Sequence, residues 1–295
     1  MRAVQLDCRW IYRRSGQSDE QLCVSARDAE ALSRLRIKAA NGCFEYNGYE
    51  LDRVFGVKLD WADPWVVQRM LNFHLGRNGV RTKLCNGWHR LRTHLIGPRR
   101  AHLNMVDYSL PNRSLSLNVE NNDCVFWGNC TRETYPEVDS EFRKAMEFKL
   151  PLSGENRELA DRMDEGNSVS IHLRRGDYVR GGYRLLQADY YREAIRRIEQ
   201  RVENPHYYIF SDDVKCAQEM FGDLRQKTFV DWNQGADSCF EMQLMSLCRH
   251  NVIANSGFSF MAAWINANSG KIVVAPRCSD AKAAAVAEKW GWIQI

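Results

Sequence analysis

The C-terminal half of the chain is predicted to form an α/β domain in which helices cover both faces of a parallel sheet. Short apolar segments alternate there with longer amphipathic segments. This alternation is typical of strands joined by helical crossovers, and such crossovers connect parallel strands. Polar residues directly follow several of the apolar segments. Loops at the carboxyl ends of parallel strands line the ligand crevice of such folds, so the site is expected at those ends.

The individual elements of this half follow from hydrophobic periodicity. In a helix predicted over residues 189–202, Tyr191, Ala194 and Ile198 share one face. The other predicted helices are 214–221, 239–249, 260–267 and 281–290. The predicted strands are 169–173, 207–210, 228–230, 251–254 and 272–275.

The N-terminal half is less regular. Apolar spacing predicts helices over residues 26–38, 65–75 and 142–150, and a short buried strand over 124–128. Residues 151–156 have the composition of a linker. We therefore predict one domain over residues 1–155, with 1–40 atypical, and a second over 156–295.

A basic segment spans residues 77–100 and includes His89 and His94. It could form a patch for phosphate or lipid headgroups, but a solvated, irregular segment is the interpretation we favour. Nucleic acid is not an expected partner, because the segment lacks the stacking aromatics that such sites use.

Composition indicates a globular protein that acts on a small anionic ligand or at an anionic membrane surface. The chain is 44% hydrophobic and 26% charged, which is typical of a globular protein. Its formal net charge of +4 is too small to require nucleic acid as a partner. Its ten cysteines include no CxxC pair, so we expect free thiols and no metal site. No apolar run is long enough to span a bilayer, and no signal core opens the chain. The expected location is the cytoplasm, with peripheral contact at the inner membrane face as an addition.

The stretch 168–178, Ser-Val-Ser-Ile-His-Leu-Arg-Arg-Gly-Asp-Tyr, begins as the first strand and ends on charged residues. Arg174 and Arg175 are adjacent, so in an extended segment their side chains point to opposite sides. One is expected to reach the crevice while the other pairs with Asp177 or holds the loop. A turn with a local ion pair is the alternative. We favour a functional role for this stretch over a structural turn, because charges at the end of a buried strand cost free energy unless they are used.

Three predicted strand ends carry polar residues, at Arg174, Asp212 and Asn255. Two arginines beside the helix start at 256–259 form an anion site, since guanidinium groups and helix N–H groups both favour phosphate oxygens. Asp212 can accept the paired donors of a guanine edge. For Asp212 and Asp213, and for the serines of 256–259, helix capping is the alternative role, although we favour it less for Asp212 than for Asp213. A nucleoside diphosphate fits this set best, with no cofactor and no obligatory metal, because the arginines supply the positive charge.

Three motifs of the chain resemble successive motifs of the α-1,2-fucosyltransferases, glycosyltransferase family 11. They are His-Leu-Arg-Arg-Gly-Asp-Tyr at 172–178, Phe-Ser-Asp-Asp at 210–213, and Met-Ser-Leu-Cys-Arg-His-Asn-Val-Ile-Ala-Asn-Ser-Gly-Phe-Ser-Phe at 245–260. The segment 126–135, ahead of Phe-Arg-Lys at 142–144, also resembles the stretch that precedes the donor domain in that family. Order and spacing agree over about residues 41–295.

The resemblance implies a GT-B architecture, in which two Rossmann-like domains face a cleft. The domain of residues 1–155 would be the acceptor side and degenerate, and that of 156–295 would bind the donor. The implied reaction is the metal-independent, inverting transfer of fucose from GDP-fucose to the 2-hydroxyl of a galactoside. The implied partners are GDP-fucose and a galactose-containing oligosaccharide or lipid-linked glycan.

The resemblance also implies roles for individual residues. Arg174 would grip the β-phosphate, with Arg175 as its support. His172 and Asp212 would contact the guanosine. The segment Asn255, Ser256, Gly257, Phe258 and Ser259 would hold the pyrophosphate. Asp177 is a candidate for the catalytic base, although a structural partner for Arg175 is the role we favour.

The N-terminus departs from the family pattern. Members usually begin with a strand and a Gly-Gly-x-Gly-Asn-Gln loop, whereas residues 16–25 here are Gly-Gln-Ser-Asp-Glu-Gln-Leu-Cys-Val-Ser. Possible codons read one base later permit a close match to that loop. We therefore hypothesise that the first 25 to 40 residues are frameshifted, with chance as the alternative, and the gene's nucleotide sequence tests this. If the shift is real, the alternative function is a catalytically impaired GDP-sugar-binding remnant.

Overall fold

The computed structural model describes residues 49–58, 140–277 and 287–295 with their side chains, and elsewhere only the backbone of Asp139 and of six short strands. Those strands are β1 (Gln5–Leu6), β2 (Ile37–Lys38), β3 (Glu45–Tyr46), β4 (Asp60–Trp61), β5 (Asn104–Asp107) and β6 (Cys124–Trp127). The chain divides into two compact units, Met1–Arg34 with Leu59–Glu137, and Leu35–Lys58 with Val138–Ile295. The division of the chain at residue 155 stays a prediction.

In the first unit β1 pairs with β4, and β5 pairs with β6, both in parallel. Strand β6 confirms the strand predicted over 124–128. In the second unit, residues 37 and 38 form a strand where the end of a helix was predicted, because they pair with β3 in an antiparallel ladder. The rest of the predicted helix 26–38, the helix 65–75, the basic segment 77–100 and the atypical loop 16–25 lie outside the described residues.

The second unit contains a six-stranded parallel sheet with helices around it. Its strands are β7 (Ser168–Leu173), β8 (His206–Ser211), β9 (Lys227–Val230), β10 (His250–Val252), β11 (Val273–Ala275) and β12 (Ile293–Gln294). Its helices are α1 (Leu51–Phe55), α2 (Asp139–Ala145), α3 (Gly154–Glu165), α4 (Gly176–Gly181), α5 (Ala188–Glu199), α6 (Val214–Phe221), α7 (Ser238–Leu247) and α8 (Gly257–Ile265). The parallel α/β prediction is confirmed. Of the predicted final helix, residues 287–289 are helical and its earlier part lies outside the described residues.

The order of the strands is β12-β11-β10-β7-β8-β9. The chain therefore builds outward from β7 through β8 and β9, then returns to place β10 on the other side of β7. This is the doubly wound Rossmann order, and the reversal between β7 and β10 is its topological switch point. Ligands of such sheets bind outside the carboxyl ends of the strands at that point.

Strand β7 is buried along its whole length, with apolar side chains on one face and polar side chains on the other. Val169, Ile171 and Leu173 pack into one apolar cluster with the buried face of α5. Ser168, Ser170 and His172 alternate with them and are equally buried.

Ser170, in the middle of the buried polar face of β7, is paired with an asparagine that follows α7, and this asparagine is held in turn by one that follows α8. The Asn251 side chain donates to Ser170 Oγ at 2.7 Å, and the Asn266 side chain donates to Asn251 Oδ1 at 2.8 Å. Paired in this way, these groups avoid the cost of unsatisfied burial. The polar face continues along the strand to His172.

The predictions around residue 150 were wrong in two respects. The helix predicted over 142–150 ends at Ala145, because the following segment runs against α1. There the Lys149 N–H donates to the Val54 carbonyl at 2.7 Å, and the Phe148 ring lies 4.9 Å from that of Phe55. The predicted linker 151–156 contains the start of α3, which buries only Leu159 and Met163 and is otherwise polar.

Within the described parts of the chain, no helix combines the length and the apolar composition needed to cross a bilayer.

Candidate active site

The carboxyl ends of β7 and β8 are joined by a side-chain hydrogen bond. Ser211 Oγ donates to the Leu173 carbonyl at 2.9 Å, and the same oxygen accepts from the Asp213 N–H at 3.0 Å. These bonds fix where the two loops leave the sheet. The predicted convergence of Arg174, Asp212 and Asn255 at this edge is confirmed by the contacts described below.

Arg174 lies between two carboxylates. Its Nη2 is 2.8 Å from Asp177 Oδ1, and its Nη1 is 3.0 Å from Asp212 Oδ2. We expected Asp177 to be the partner of Arg175, and that expectation was wrong. Helix α4 begins at Gly176, so its first turn carries the carboxylate of Asp177 back to the arginine three residues earlier.

Arg175 supports the loop instead. Its N–H donates to Asp212 Oδ1 at 2.8 Å, and its Nε donates to Asp213 Oδ2 at 3.0 Å. Asp213 also accepts from the Cys216 N–H at 3.1 Å, which caps α6. This backbone bond, together with Arg175, lowers the pKa of the Asp213 carboxyl. Capping, the alternative role given for Asp213, is therefore its observed role.

His172 is buried and neutral at the end of the polar face of β7. Burial is the main cause that lowers its pKa to about 3, and the positive charge of Arg174 adds to the effect. Its ring centroid lies 5.7 Å from that of Phe258. Among the residues that the structure describes, neither His172 Nδ1 nor Arg174 Nε has a hydrogen-bond partner. Both buried groups retain capacity for a ligand.

The segment that leads into α8 is held by its own serines. Ser256 Oγ accepts from the Phe258 N–H at 3.3 Å, so it is the N-cap. Ser259 is buried, accepts from the Ala254 N–H at 3.2 Å and donates to the Ser256 carbonyl at 3.4 Å. A Cβ added at Gly257 would meet no atom of the described residues within 4 Å, so within that part of the chain the space beside this first turn is open.

Asn255 joins this segment to α4. The Tyr178 hydroxyl donates to the Asn255 carbonyl at 2.8 Å, and the Asn255 side chain donates to the Arg184 carbonyl at 2.8 Å. The Arg174 guanidinium carbon lies 5.7 Å from the centroid of the Tyr178 ring. Tyr178 therefore connects the strand ends of β7 and β10 across the switch point.

Sequence reasoning missed Glu241, a carboxylic acid in α7 that is only 8% exposed. Its pKa is raised to about 8, chiefly by burial and then by the negative charge of Asp212, while Arg174 acts in the opposite direction. The available signal was its position, because the neighbouring Cys239, Leu244 and Met245 all face the core. An acid among core positions of a helix marks a site candidate.

The structure thus brings Arg174, Asp177 and Asp212 into direct contact, with Asn255 reached through Tyr178. In the described residues no group of three or more His, Cys, Asp or Glu side chains is arranged to hold a metal ion. Fold and cluster together define a doubly wound α/β domain with an arginine–aspartate cluster at its switch point, where such sheets bind their ligands.

Comparison with known proteins identifies the family. Residues 134–295, more than half of the chain, match the sequence profile of Glycosyl transferase family 11, and the chain belongs to this family. It is 36% identical over 177 residues to the O-antigen biosynthesis glycosyltransferase WbnK of Escherichia coli, covering 55% of this chain and 56% of that protein. It is 31% identical over 157 residues to an alpha-1,2-colitosyltransferase of Escherichia coli, covering 51% and 53%.

A galactoside 2-alpha-L-fucosyltransferase of Bos taurus is 30% identical over 107 residues, covering 34% of this chain and 29% of that protein. The chain spans about half the length of the first two of these relatives. The recognition of the family from its three motifs is confirmed.

Proposed function

We propose that the protein transfers fucose from GDP-fucose to the 2-hydroxyl of a galactoside, with inversion at the anomeric carbon. The observation that carries this proposal is Arg174, held at the switch point between two carboxylates with a buried Nε that lacks a partner among the described residues. The names of the relatives support the reaction class, since they include an alpha-1,2-colitosyltransferase and a galactoside 2-alpha-L-fucosyltransferase. The two-domain GT-B arrangement stays a prediction.

In this reaction the acceptor 2-oxygen bonds to the fucose C1 while the bond from C1 to the GDP oxygen breaks. The transition state resembles an oxocarbenium ion, and negative charge develops on the departing β-phosphate. An arginine already fixed by Asp177 and Asp212 stabilises that charge without reorganising, and it acts more strongly on the transition state than on the ground state. Arg174 is therefore the proposed leaving-group clamp, with Arg175 as its support.

The remaining proposed contacts use hydrogen-bonding capacity that the structure leaves free. His172 Nδ1 is unpartnered among the described residues, and each Asp212 oxygen accepts one contact, so both can also face a guanosine. The open first turn of α8, from Ser256 to Ser259 and preceded by Asn255, can offer N–H groups to the pyrophosphate.

Asp177 is the proposed base for the acceptor hydroxyl, because it is a carboxylate in the same cluster as the clamp. Its ion pair with Arg174 fits a structural role equally well. Asp177→Asn separates the two roles. A base is required for transfer and not for donor binding, whereas a structural partner of Arg174 is required for both.

The test uses the purified full chain with GDP-fucose and lactose. Calorimetric titration measures donor binding, and product analysis measures transfer and the configuration of the new linkage. Arg174→Ala is expected to lower kcat by about a hundred- to a thousandfold. The control is Arg192→Ala on α5, because Arg192 is exposed and its ion pair with the exposed Asp189 is long, at 3.4 Å. This variant should leave kcat unchanged. Binding without transfer in the unmodified protein, or an active Arg174→Ala variant, contradicts the proposal.

A further inference from the structure

Two large apolar side chains are exposed within one short segment beside the arginine cluster. Val179 is 52% exposed on α4, and Tyr183 is 53% exposed just beyond it. The reaction proposed above assigns no role to either of them. An aromatic ring combines a large apolar face with little conformational freedom, so an exposed ring next to a polar site is suited to contact a ligand.

The Tyr183 ring is held in a fixed position. The backbone N–H of Tyr183 donates to the Tyr178 carbonyl at 2.9 Å, after a left-handed turn at Gly182 with φ 67°. Its ring centroid lies 5.1 Å from that of Tyr178, with the planes inclined at 43°. A Cβ at Gly181 would lie 2.6 Å from Tyr183 Cε2, so the ring rests directly against the Gly181 backbone. The ring has support on one side and solvent on the other.

The ring that supports Tyr183 lies against the proposed clamp, Arg174. Tyr178, on which Tyr183 packs, lies under the Arg174 guanidinium at 5.7 Å and donates to the Asn255 carbonyl. The Asn255 side chain holds the Arg184 carbonyl and so fixes the other end of the turn. Tyr183 is thus separated from the clamp by a single aromatic ring, and both anchor points belong to the candidate site.

We propose that the exposed face of Tyr183 is the stacking surface for the galactose ring of the acceptor. Galactose has one apolar face, formed by the C–H groups at C3, C4 and C5, and an aromatic face covers such a patch while the hydroxyls remain free to bind water. The acceptor 2-hydroxyl must reach the fucose C1 next to the phosphate that Arg174 holds. Only the Tyr178 ring separates this platform from Arg174, at 5.7 Å from the guanidinium carbon and 5.1 Å from the Tyr183 ring. This inference rests on the proposed function, because it names the acceptor subsite of that reaction. It assigns one contact of that subsite to the second unit, whereas the family resemblance places the acceptor side on residues 1–155.

The experiment compares Tyr183→Ala with Tyr183→Phe in the full chain. Removal of the ring should raise the acceptor KM about tenfold or more and leave the GDP-fucose KM unchanged, whereas Tyr183→Phe should behave like the unmodified protein. Leu247→Ala is the matched control, because Leu247 is another exposed apolar residue, on α7, and is 49% exposed. Thermal unfolding of each variant excludes a folding defect as the cause.

Two results would overturn the inference. Unchanged kinetics in Tyr183→Ala would show that the ring is not a contact, and a raised donor KM would show that it stacks on the nucleotide base. If the unmodified protein does not transfer fucose, the proposed function fails, and binding of methyl β-galactoside in the presence of GDP then decides the inference. Saturation-transfer NMR should show contact at the galactose C–H groups that Tyr183→Ala abolishes, and equal signals in both proteins contradict it.

Discussion

Arg174 and Asp212 form an ion pair, Nη1 to Oδ2 at 3.0 Å, that joins the carboxyl ends of the neighbouring strands β7 and β8. The other oxygen of Asp212 accepts the Arg175 N–H at 2.8 Å. One carboxylate therefore fixes both the guanidinium that faces the crevice and the backbone from which α4 starts. The geometry of the clamp depends on the register of two strands, and not only on the local Arg-Arg-Gly-Asp sequence.

The first prediction concerns Asp212→Asn. The amide keeps the shape of the side chain and an oxygen for the Arg175 N–H, but it loses the charge that orients Arg174. Hydrogen bonds to charged groups are worth about 1.5–3 kcal/mol, so kcat should fall by about ten- to a hundredfold with little change in melting temperature. Steady-state kinetics measures this effect. Asp161→Asn on α3 removes an exposed carboxylate that pairs with Arg157 and should change nothing. Wild-type kcat in Asp212→Asn would show that Arg174 needs no such support.

The second prediction concerns Gly176→Ala. A Cβ at this position would lie 2.8 Å from Asp212 Oδ2 and 3.1 Å from its Cγ, so the carboxylate must move away from Arg174. We expect donor affinity and kcat to fall about tenfold, because the same ion pair is disturbed from the opposite side. Gly166→Ala is the matched control, since a Cβ there meets none of the residues that the structure describes within 4 Å. Equal titration and kinetic results for the two alanine variants would contradict the prediction.

The sequence predicts the sheet of this protein better than it predicts the detail of its site. Five strands and the amphipathic helix with Tyr191, Ala194 and Ile198 follow from apolar periodicity, because burial imposes that period. Helix α3 was not predicted, because two buried residues among many polar ones give only a weak periodic pattern. The strand ends could be expected to converge, because parallel strands share an edge.

The choice of partners within the site could not be predicted from the sequence. Whether Asp177 meets Arg174 or Arg175 depends on where α4 begins, and a helix start can shift by a residue without any change in composition. Glu241 lies far along the chain from Arg174, and only the packing of α7 against the sheet brings their charges within range of each other. Tertiary packing of this kind leaves no signal in local periodicity.

The third prediction follows from the burial of Glu241. Its carboxyl has a pKa raised from 4.5 to about 8, so between these values the folded protein binds a proton that the unfolded chain does not. Stability from this group is complete below pH 4.5 and is lost as the pH rises towards 8. A neutral Glu241 also leaves more of the charge of Arg174 available to a phosphate, since a third carboxylate in addition to Asp177 and Asp212 would compete for it.

Glu241→Gln removes this titration while it keeps the size of the side chain. The variant should differ from the wild type by less than about 1 kcal/mol in free energy of unfolding at pH 5 and exceed it by about 3–5 kcal/mol at pH 8. At pH 8 only the wild type must either bury an ionised carboxylate or take up a proton when it folds. Urea unfolding at several values between pH 5 and pH 8 measures the two slopes. Glu158→Gln, at an exposed position on α3, controls for the loss of a carboxylate and should keep the wild-type slope. Parallel curves for Glu241→Gln and the wild type would mean that Glu241 is ionised throughout this range. In that case the charge of Arg174 would be shared among three carboxylates, and the positive charge that stabilises a phosphate would have to come from another residue.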